Sequence, residues 1–220
     1  MFSLNLVAVL STLALASPGH SYPSNTKQDS STSSALPACG PVVQPCQCPE
    51  GNFYSSVANY GFYSASAKDI QSIAASSFSD LSYLGLNVTN STGQGFEIGS
   101  SRTFMVDWEA ASEPIDFTEV LTTYNNYPEN GRFNMTWEMG NLPFSYTRPS
   151  GETVTVGGLW SYEELRQVGD HSFFLWSTWS CFPDAFDFNG FHELAFHRIT
   201  QILKEQGKSD GRIIGLTTTG

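Results

Sequence analysis

Charged side chains are scarce in this sequence, and positive ones are the scarcest. Charged residues make up 14 % of the 220 residues, and 10 Lys and Arg face 21 Asp and Glu, which gives a formal net charge of −11. An average domain has about a quarter charged residues. Nucleic acids and anionic membranes bind basic patches, which this composition does not supply. We therefore expect neither as a partner.

Several motifs that mark cofactor and nucleophile sites are also missing. The sequence has no phosphate-binding loop, no dinucleotide-binding glycine fingerprint and no Gly-x-Ser-x-Gly elbow. His192 and His197 invite comparison with zinc proteases, but that motif needs histidines four residues apart on one helix face. Histidines five apart diverge by about 140° around a helix. We expect no metal and no cofactor, and the sequence leaves a serine–histidine–acid triad open.

The apolar run Leu4–Ala16 is too short to span a bilayer. It ends in Ala14-Leu-Ala16, a small-x-small sequence typical of signal-peptide cleavage sites. No Lys or Arg precedes the run, which departs from the usual signal, so the positive charge comes from the start methionine. We predict a signal peptide over residues 1–16, cleaved after Ala16 or near Ser21, and no membrane span.

Four cysteines fit the oxidising compartment that a signal peptide implies. Three lie close together, Cys39, Cys46 and Cys48, and the fourth is Cys181. A bridge from Cys46 to Cys48 would be strained because the two are so close, so we expect one of the first three to pair with Cys181. Structural disulfides fit better than a zinc site, because nothing marks a further ligand near Cys181. The connectivity stays open.

Three sequons, at Asn87, Asn90 and Asn134, also favour the secretory pathway. We predict N-glycosylation at all three, and a secreted or lumenal protein. A glycan on Asn134 must face solvent, and side chains alternate between the two faces of a strand. The neighbours that then face the interior are Phe133, Met135, Trp137 and Met139.

The chain after the signal peptide reads as one folded domain between irregular ends. Residues 17–51 form a polar lead-in with a Cys- and Pro-rich knot, residues 52–207 the domain, and residues 208–220 a tail. Residues 87–93 read as a polar loop. The predicted strands cover residues 53–63, 95–98, 102–109, 116–124, 132–139, 159–168 and 172–182.

Helical patterns mark three segments. Ser66 caps a short helix, with Asp69 in the capping-box position, and a second short helix follows over residues 77–85. The long C-terminal helix begins at Asp187 or Asn189. Its apolar stripe recurs at steps of three and four residues, at Phe188, Phe191, Ala195, Ile199 and Ile202. We expect this helix to close the open face of a curved sheet.

Three polar residues are candidates for chemistry. Strand alternation turns Arg102 inward, where a guanidinium needs a partner, and the natural one is Glu119, which alternates with Phe117 and Leu121. This pair is either structural or orients an enolic or carbonyl oxygen of a ligand. His192 either faces a cavity from the first helical turn or is held by structural hydrogen bonds. We name Arg102, Glu119 and His192 as candidate catalytic residues.

Aromatic residues, at 14 % of the chain, either stack a flat conjugated ligand or fill an ordinary core. The candidate substrate-binding residues are Phe104, Trp108, Tyr124, Trp137, Tyr146, Trp176 and Trp179.

The order of elements resembles the START and Bet v 1-like superfamily, also called polyketide cyclase/dehydrase-like, which has the helix-grip fold. The resemblance covers about residues 53–207 and rests on local sequences such as Ser66-Ala-Lys-Asp-Ile-Gln-Ser-Ile, Phe78-Ser-Asp-Leu-Ser-Tyr-Leu-Gly and Phe173-Phe-Leu-Trp-Ser-Thr-Trp179. It implies an α+β fold in which a curved seven-stranded antiparallel sheet, two short helices and a long C-terminal helix enclose a cavity. A lipocalin-like barrel is the competing fold, disfavoured by a helix pair directly after the first strand.

Secreted, glycosylated chains of this shape are similar to fungal proteins of secondary-metabolite clusters. The narrower similarity is to hetero-Diels–Alderases that join tropolone quinone methides to humulene-type terpenes. It implies a cofactor-free cyclase acting on a polyketide and a terpene intermediate in a hydrophobic cavity. The alternatives are a START-like carrier that binds a hydrophobic small molecule without catalysis, and an extracellular interaction protein with a filled core. The sequence indicates neither the substrate nor the oligomeric state.

Overall fold

The computed structural model describes residues 47–219. They contain ten β-strands and two α-helices. The strands are β1 Phe53–Tyr63, β2 Val88–Thr92, β3 Ser101–Val106, β4 Ile115–Tyr127, β5 Arg132–Met139, β6 Phe144–Thr147, β7 Thr153–Val156, β8 Gly158–Val168, β9 His171–Phe182 and β10 Ile213–Thr219. The helices are α1 Ala67–Ala74 and α2 Phe188–Glu205, and two 3-10 turns cover Ser82–Leu84 and Pro128–Asn130.

Eight strands form one antiparallel sheet in the order β10-β1-β9-β8-β5-β4-β3-β2, and β6 and β7 pair as a separate hairpin. Helix α2 lies across one face of the sheet, called here the inner face. The hydroxyl of Tyr63 on β1 donates to the carbonyl of Phe196 at 3.3 Å, and Trp176 on β9 stacks on His192 with ring centroids 4.2 Å apart. The predicted α+β helix-grip architecture is confirmed.

Both helices begin directly after a residue whose side chain was expected to cap them. The backbone N–H of Asp69 donates to the hydroxyl of Ser66 at 3.1 Å, and the N–H of Gly190 donates to the carboxylate of Asp187 at 2.9 Å. Each bond satisfies an N–H that has no partner inside its helix. Side-chain chemistry at the first turn therefore determines where both helices start.

Residues 87–98 differ from the prediction. The expected loop 87–93 contains β2, and the expected strand 95–98 is a turn. Gly93, Gly95 and Gly99 have φ angles of 77°, 56° and 89°, which are left-handed and incompatible with a strand. β2 has no buried residue, so it lacks an apolar stripe, and only its hydrogen bonds to β3 define it.

Two further segments differ. The expected second helix over residues 77–85 is reduced to the 3-10 turn Ser82–Leu84. The expected tail 208–220 contributes β10, which pairs with β1, so the main sheet has eight strands rather than seven. The register of this pairing shifts between Tyr60 and Phe62. Apolar and polar residues do not alternate in β10, and the sequence consequently gave no strand signal.

Strand β5 has the predicted orientation. Its odd-numbered residues Phe133, Met135, Trp137 and Met139 are at most 4 % exposed, whereas Glu138 is exposed. The requirement that Asn134 face solvent therefore assigned the faces of this strand correctly.

The opposite, outer face of β8 and β9 carries a second cluster. Trp160, Trp179 and Cys181 are buried together there, and Cys181 forms a disulfide with Cys48 across a Cα–Cα distance of 5.3 Å. One of the three N-terminal cysteines thus reaches Cys181, as expected. Cys39, Cys46 and the predicted signal peptide lie outside the described residues. Within residues 47–219, no helix combines the length and the apolar character needed to cross a membrane.

Candidate functional site

A small cavity lies between α2 and the inner face of the sheet. Its volume is about 30 Å³, which is room for one or two water molecules. Pockets for drug-sized ligands hold roughly 300–1,000 Å³. Side chains therefore fill most of the hollow that the sequence predicted. The residues that line the cavity are Phe104, Phe117, Glu119, Leu159, Ser161, Trp176, Thr178, Phe186, Phe188, Phe191 and His192.

His192 projects from the first turn of α2 onto this cavity and is fully buried. Its Nδ1 lies 2.9 Å from Oδ1 of Asn59 on β1, and its Nε2 lies 3.1 Å from the hydroxyl of Thr178 on β9. Asn59 Nδ2 donates to Thr218 and Asn189, so the amide oxygen faces the imidazole. This network assigns the proton to Nδ1 and leaves Nε2 to accept from Thr178.

Burial lowers the pKa of His192 to about 3, so the imidazole is neutral at physiological pH. The hydroxyl of Thr178 is also 3.1 Å from that of Ser161 on β8. Because Thr178 donates to the imidazole, Ser161 donates to Thr178. The three side chains form a short hydrogen-bonded relay along the cavity wall, which can pass a proton between the cavity and His192.

Arg102 and Glu119 form the expected buried pair on neighbouring strands. Nε of Arg102 donates to a carboxylate oxygen of Glu119 at 2.7 Å, and Nη1 donates to the carbonyl of Phe78, also at 2.7 Å. The guanidinium lies over the rings of Phe78 and Trp137, 4.2 and 5.3 Å from their centroids. Glu119 lines the cavity, and Arg102, which is not among the lining residues, holds the carboxylate in place through this hydrogen bond.

Glu163 on β8 is a buried acid that sequence reasoning missed. It is fully buried, and none of the described residues offers either carboxyl oxygen a hydrogen bond. Desolvation raises its pKa to about 8, with the charge of Arg102 lowering it and that of Glu119 raising it. Its carboxyl group is therefore mostly protonated at neutral pH.

The predicted ring residues separate into three groups, the first of which is at or next to the cavity. Phe104 and Trp176 line it. Trp137 lies beside Trp176 with ring centroids 6.0 Å apart, and it also contacts Phe78. These three rings are consistent with the predicted location.

The second group does not line the cavity, although Trp108 contacts the lining ring of Phe186 with centroids 5.6 Å apart. Trp108 contacts Tyr146 with ring centroids 4.8 Å apart, and the hydroxyl of Tyr146 donates to Asp184. Tyr124 is half-buried near α1, where its ring stacks on Phe96 at 4.1 Å. These three rings pack against other side chains of the domain, and none of them lines the cavity.

Trp179 forms the third group, and its prediction as a cavity residue is wrong. It lies on the outer face with Trp160, because the alternation that turns Trp176 and Thr178 inward turns residue 179 outward. Strand β9 is apolar on both faces, so composition alone did not distinguish them. The two-residue period counted from Trp176 would have identified Thr178 as a cavity residue.

The family comparison agrees with this architecture. A family model described as START domain matches residues 54–219. No curated protein matches the sequence significantly. Among solved structures, norcoclaurine synthase from Thalictrum flavum is 14 % identical, with 79 % of this chain and 99 % of that chain covered and a TM-score of 0.47.

Two further solved structures are similar at the same distant level. A protein from Nitrosospira multiformis is 19 % identical, with 67 % and 92 % of the two chains covered and a TM-score of 0.41. Major latex-like protein 151 from Panax ginseng is 9 % identical, with 70 % and 97 % covered and a TM-score of 0.45. Likenesses at this level concern the fold alone.

Proposed function

Because the chain belongs to the START domain family, we propose that it binds a hydrophobic small molecule between α2 and the inner face of the sheet. The observation that carries this proposal is the convergence of four polar side chains, Glu119, Ser161, Thr178 and His192, on an otherwise apolar cavity. A few fixed polar groups within apolar walls are typical of small-molecule sites.

The reaction we propose is a cofactor-free cyclisation. Apolar walls would exclude water and hold the reacting parts together, and the relay from Ser161 through Thr178 to His192 would take up or return a proton. Glu119 would accept a hydrogen bond from the ligand while Arg102 holds it in place. Within this class, the resemblance favours dehydration of a tropolone precursor to a quinone methide, followed by hetero-Diels–Alder addition to a humulene-type terpene.

Such ligands require the cavity to open. Its volume of about 30 Å³ is an order of magnitude below that of a typical ligand pocket. Phe186, just before α2, and Phe191, in its first turn, are only half-buried, and both line the cavity. We propose that these two rings swing outward when the ligand enters, since no backbone element needs to separate for them to do so.

A turnover assay tests the enzymatic proposal. The purified protein is incubated with a tropolone alcohol and humulene, and the adduct is followed by chiral chromatography. We expect faster, stereospecific adduct formation, and about a 100-fold lower rate for His192→Gln. His197→Gln is the matched control, because His197 is exposed on the same helix. Equal rates for both variants would contradict the role of His192.

A carrier is the second candidate, favoured by the largely apolar cavity wall. In the same experiment a carrier would return bound, unchanged ligand. If the protein binds neither ligand, the remaining hypothesis is an extracellular interaction protein with a filled core. The small cavity would then be a packing defect.

We also propose that the protein passes through the secretory pathway. The Cys48–Cys181 disulfide is consistent with an oxidising compartment. Asn87 and Asn90 are exposed and Asn134 is half-buried, which is consistent with sequons at the surface of the domain. We expect the secreted protein to begin near residue 17 or 22 and to lose mass on N-glycosidase treatment, both of which mass spectrometry measures.

A further inference from the structure

Three buried polar side chains next to the cavity have unpaired hydrogen-bonding groups. They are both carboxyl oxygens of Glu163 and the indole N–H groups of Trp137 and Trp176, for which no described residue provides a partner. Exposure is 0 % for Glu163, 1 % for Trp137 and 4 % for Trp176. Buried polar groups are nearly always hydrogen-bonded, so three together need an explanation.

The strand register places the three on adjoining positions of the inner face. Glu163 on β8 lies directly opposite Trp176 on β9. Trp137 on β5 lies opposite Ser161, one step along the same face of β8 from Glu163. The two indole rings are 6.0 Å apart. Trp176 and Ser161 also line the cavity, which therefore borders this cluster.

The charged and titratable groups nearest to the three are hydrogen-bonded. Arg102 is bound by Glu119 and by the carbonyl of Phe78, and His192 is bound by Asn59 and Thr178. Three other buried atoms, the side-chain oxygens of Ser100, Asn141 and Ser180, also lack a partner among the described residues. Glu163, Trp137 and Trp176 differ from them because the strand register brings several unpaired groups together at one place beside the cavity.

We propose that Glu163, Trp137 and Trp176 form a buried subsite that binds a neutral carbonyl or hydroxyl oxygen of the ligand. Two indole N–H groups donate to an oxygen, and a carboxyl group that retains its proton both donates and accepts. Desolvation keeps that proton by raising the pKa of Glu163 to about 8. The nearest cation, Arg102, is already bound to Glu119, so nothing here favours an anionic group. This inference rests on the proposed binding of a small molecule.

Two probes that differ by one oxygen test the subsite. Tropone is a flat seven-membered ring with a carbonyl, and cycloheptatriene is the corresponding hydrocarbon. Titration calorimetry of the full chain should give about tenfold tighter binding of tropone than of cycloheptatriene. Trp176→Phe and Glu163→Leu should each weaken tropone binding by about tenfold and leave cycloheptatriene binding nearly unchanged. Trp179→Phe is the matched control on the outer face, with both affinities retained.

A measurement without ligand distinguishes a binding role from a structural one. Leucine has a similar size to glutamate and has no unsatisfied polar atoms, so Glu163→Leu should unfold at a higher urea concentration than the wild type. Higher stability together with weaker tropone binding is the expected result. Lower stability would show that Glu163 has a structural partner, and would overturn the inference.

The two proposals fail in different ways. If tropone and cycloheptatriene bind equally and Trp137→Phe, Trp176→Phe and Glu163→Leu change neither affinity, the subsite is wrong and the binding site remains. If neither probe binds the wild type, the proposed small-molecule function and the subsite both fail. The two tryptophan variants keep the test decisive even where Glu163→Leu does not fold.

Discussion

Each half of the inner face has a buried glutamate, and the two differ in whether the carboxyl group has a partner. On β3 and β4, Glu119 faces Arg102 in register and the pair is closed by a third contact to Phe78. On β8 and β9, Glu163 is more deeply buried than Glu119 but unpaired, beside the unpaired indole of Trp176. A paired charge stabilises its surroundings only while both partners remain, whereas an unpaired neutral acid lowers stability and stays available to a ligand. The first half therefore presents a carboxylate that is fixed by its partner, and under the proposed function the second half offers unpaired groups to a ligand.

Removing Glu119 should have the largest effect. Glu119→Leu leaves the guanidinium of Arg102 buried without its anion, and we expect a loss of about 3–5 kcal/mol in the free energy of unfolding. Urea denaturation followed by tryptophan fluorescence measures it. The double variant Arg102→Met/Glu119→Leu should recover most of the loss, because both charges are then gone. A small loss for the single variant would show that the buried guanidinium of Arg102 does not depend on Glu119 as its partner.

The pH dependence of stability should separate Glu163 from His192. The pKa of Glu163 is about 8 when folded and 4.5 ordinarily, so the folded state retains a proton that the unfolded state loses, and stability falls as pH rises from 4.5 to 8. The pKa of His192 is about 3 when folded and 6.5 ordinarily, so stability falls as pH drops from 6.5 towards 3. The two effects oppose each other between pH 4.5 and 6.5. Above 6.5 only that of Glu163 remains.

We therefore expect the wild type to lose about 2 kcal/mol between pH 6.5 and 8, at about 1.4 kcal/mol per unit. Glu163→Gln should abolish this loss because an amide does not titrate. Urea denaturation at several pH values measures the slope. Glu138→Gln is the matched control, since Glu138 is an exposed acid on the neighbouring strand. An unchanged slope in Glu163→Gln would show that Glu163 is ionised in the folded protein.

The paired half of the site was predictable from sequence, and the unpaired half was not. Arg102 and Glu119 stood out because each is a charge in an apolar alternation, and a buried charge requires a partner. Glu163 lies between Tyr162 and Glu164, in a strand with several polar residues. The neighbouring sequence therefore does not indicate that Glu163 is buried. Register between β8 and β9 identified it, and register is a property of the folded sheet.

The fold was predictable where side chains carried the signal. Buried and more exposed residues alternate along strand β5, and helix α2 has an apolar stripe and an N-cap residue, Asp187. Strands β2 and β10 lie at the two edges of the sheet and are defined by backbone pairing, which leaves little trace in the sequence. The volume of the cavity was equally hidden, because it depends on how the rings of Phe186, Phe188 and Phe191 pack, and composition does not specify packing.

A variant of Asn59 tests whether its hydrogen bond to His192 contributes to stability, as the Arg102–Glu119 pair is expected to do. Asn59→Leu removes the acceptor for the imidazole Nδ1–H and leaves a buried donor unpaired, which should lower stability by about 1–3 kcal/mol. It also frees the tautomer, so turnover should fall while the affinity for substrate stays nearly constant. Urea denaturation and steady-state kinetics measure the two effects. A change confined to KM would place Asn59 in binding and contradict the positioning role.

The hydroxyl pair should give the smallest effect, and it tests whether Thr178 links Ser161 to His192. If Thr178 donates to His192 and Ser161 donates to Thr178, then Thr178→Val breaks two hydrogen bonds and Ser161→Ala only the outer one. We expect losses of about 1–2 kcal/mol and below about 1 kcal/mol, measured by urea denaturation. Both variants should also slow proton transfer, and Thr178→Val should slow it more because it removes the hydroxyl that is bound to the imidazole. Equal losses, or a larger loss for Ser161→Ala, would show that Thr178 does not link Ser161 to His192 and would contradict the relay.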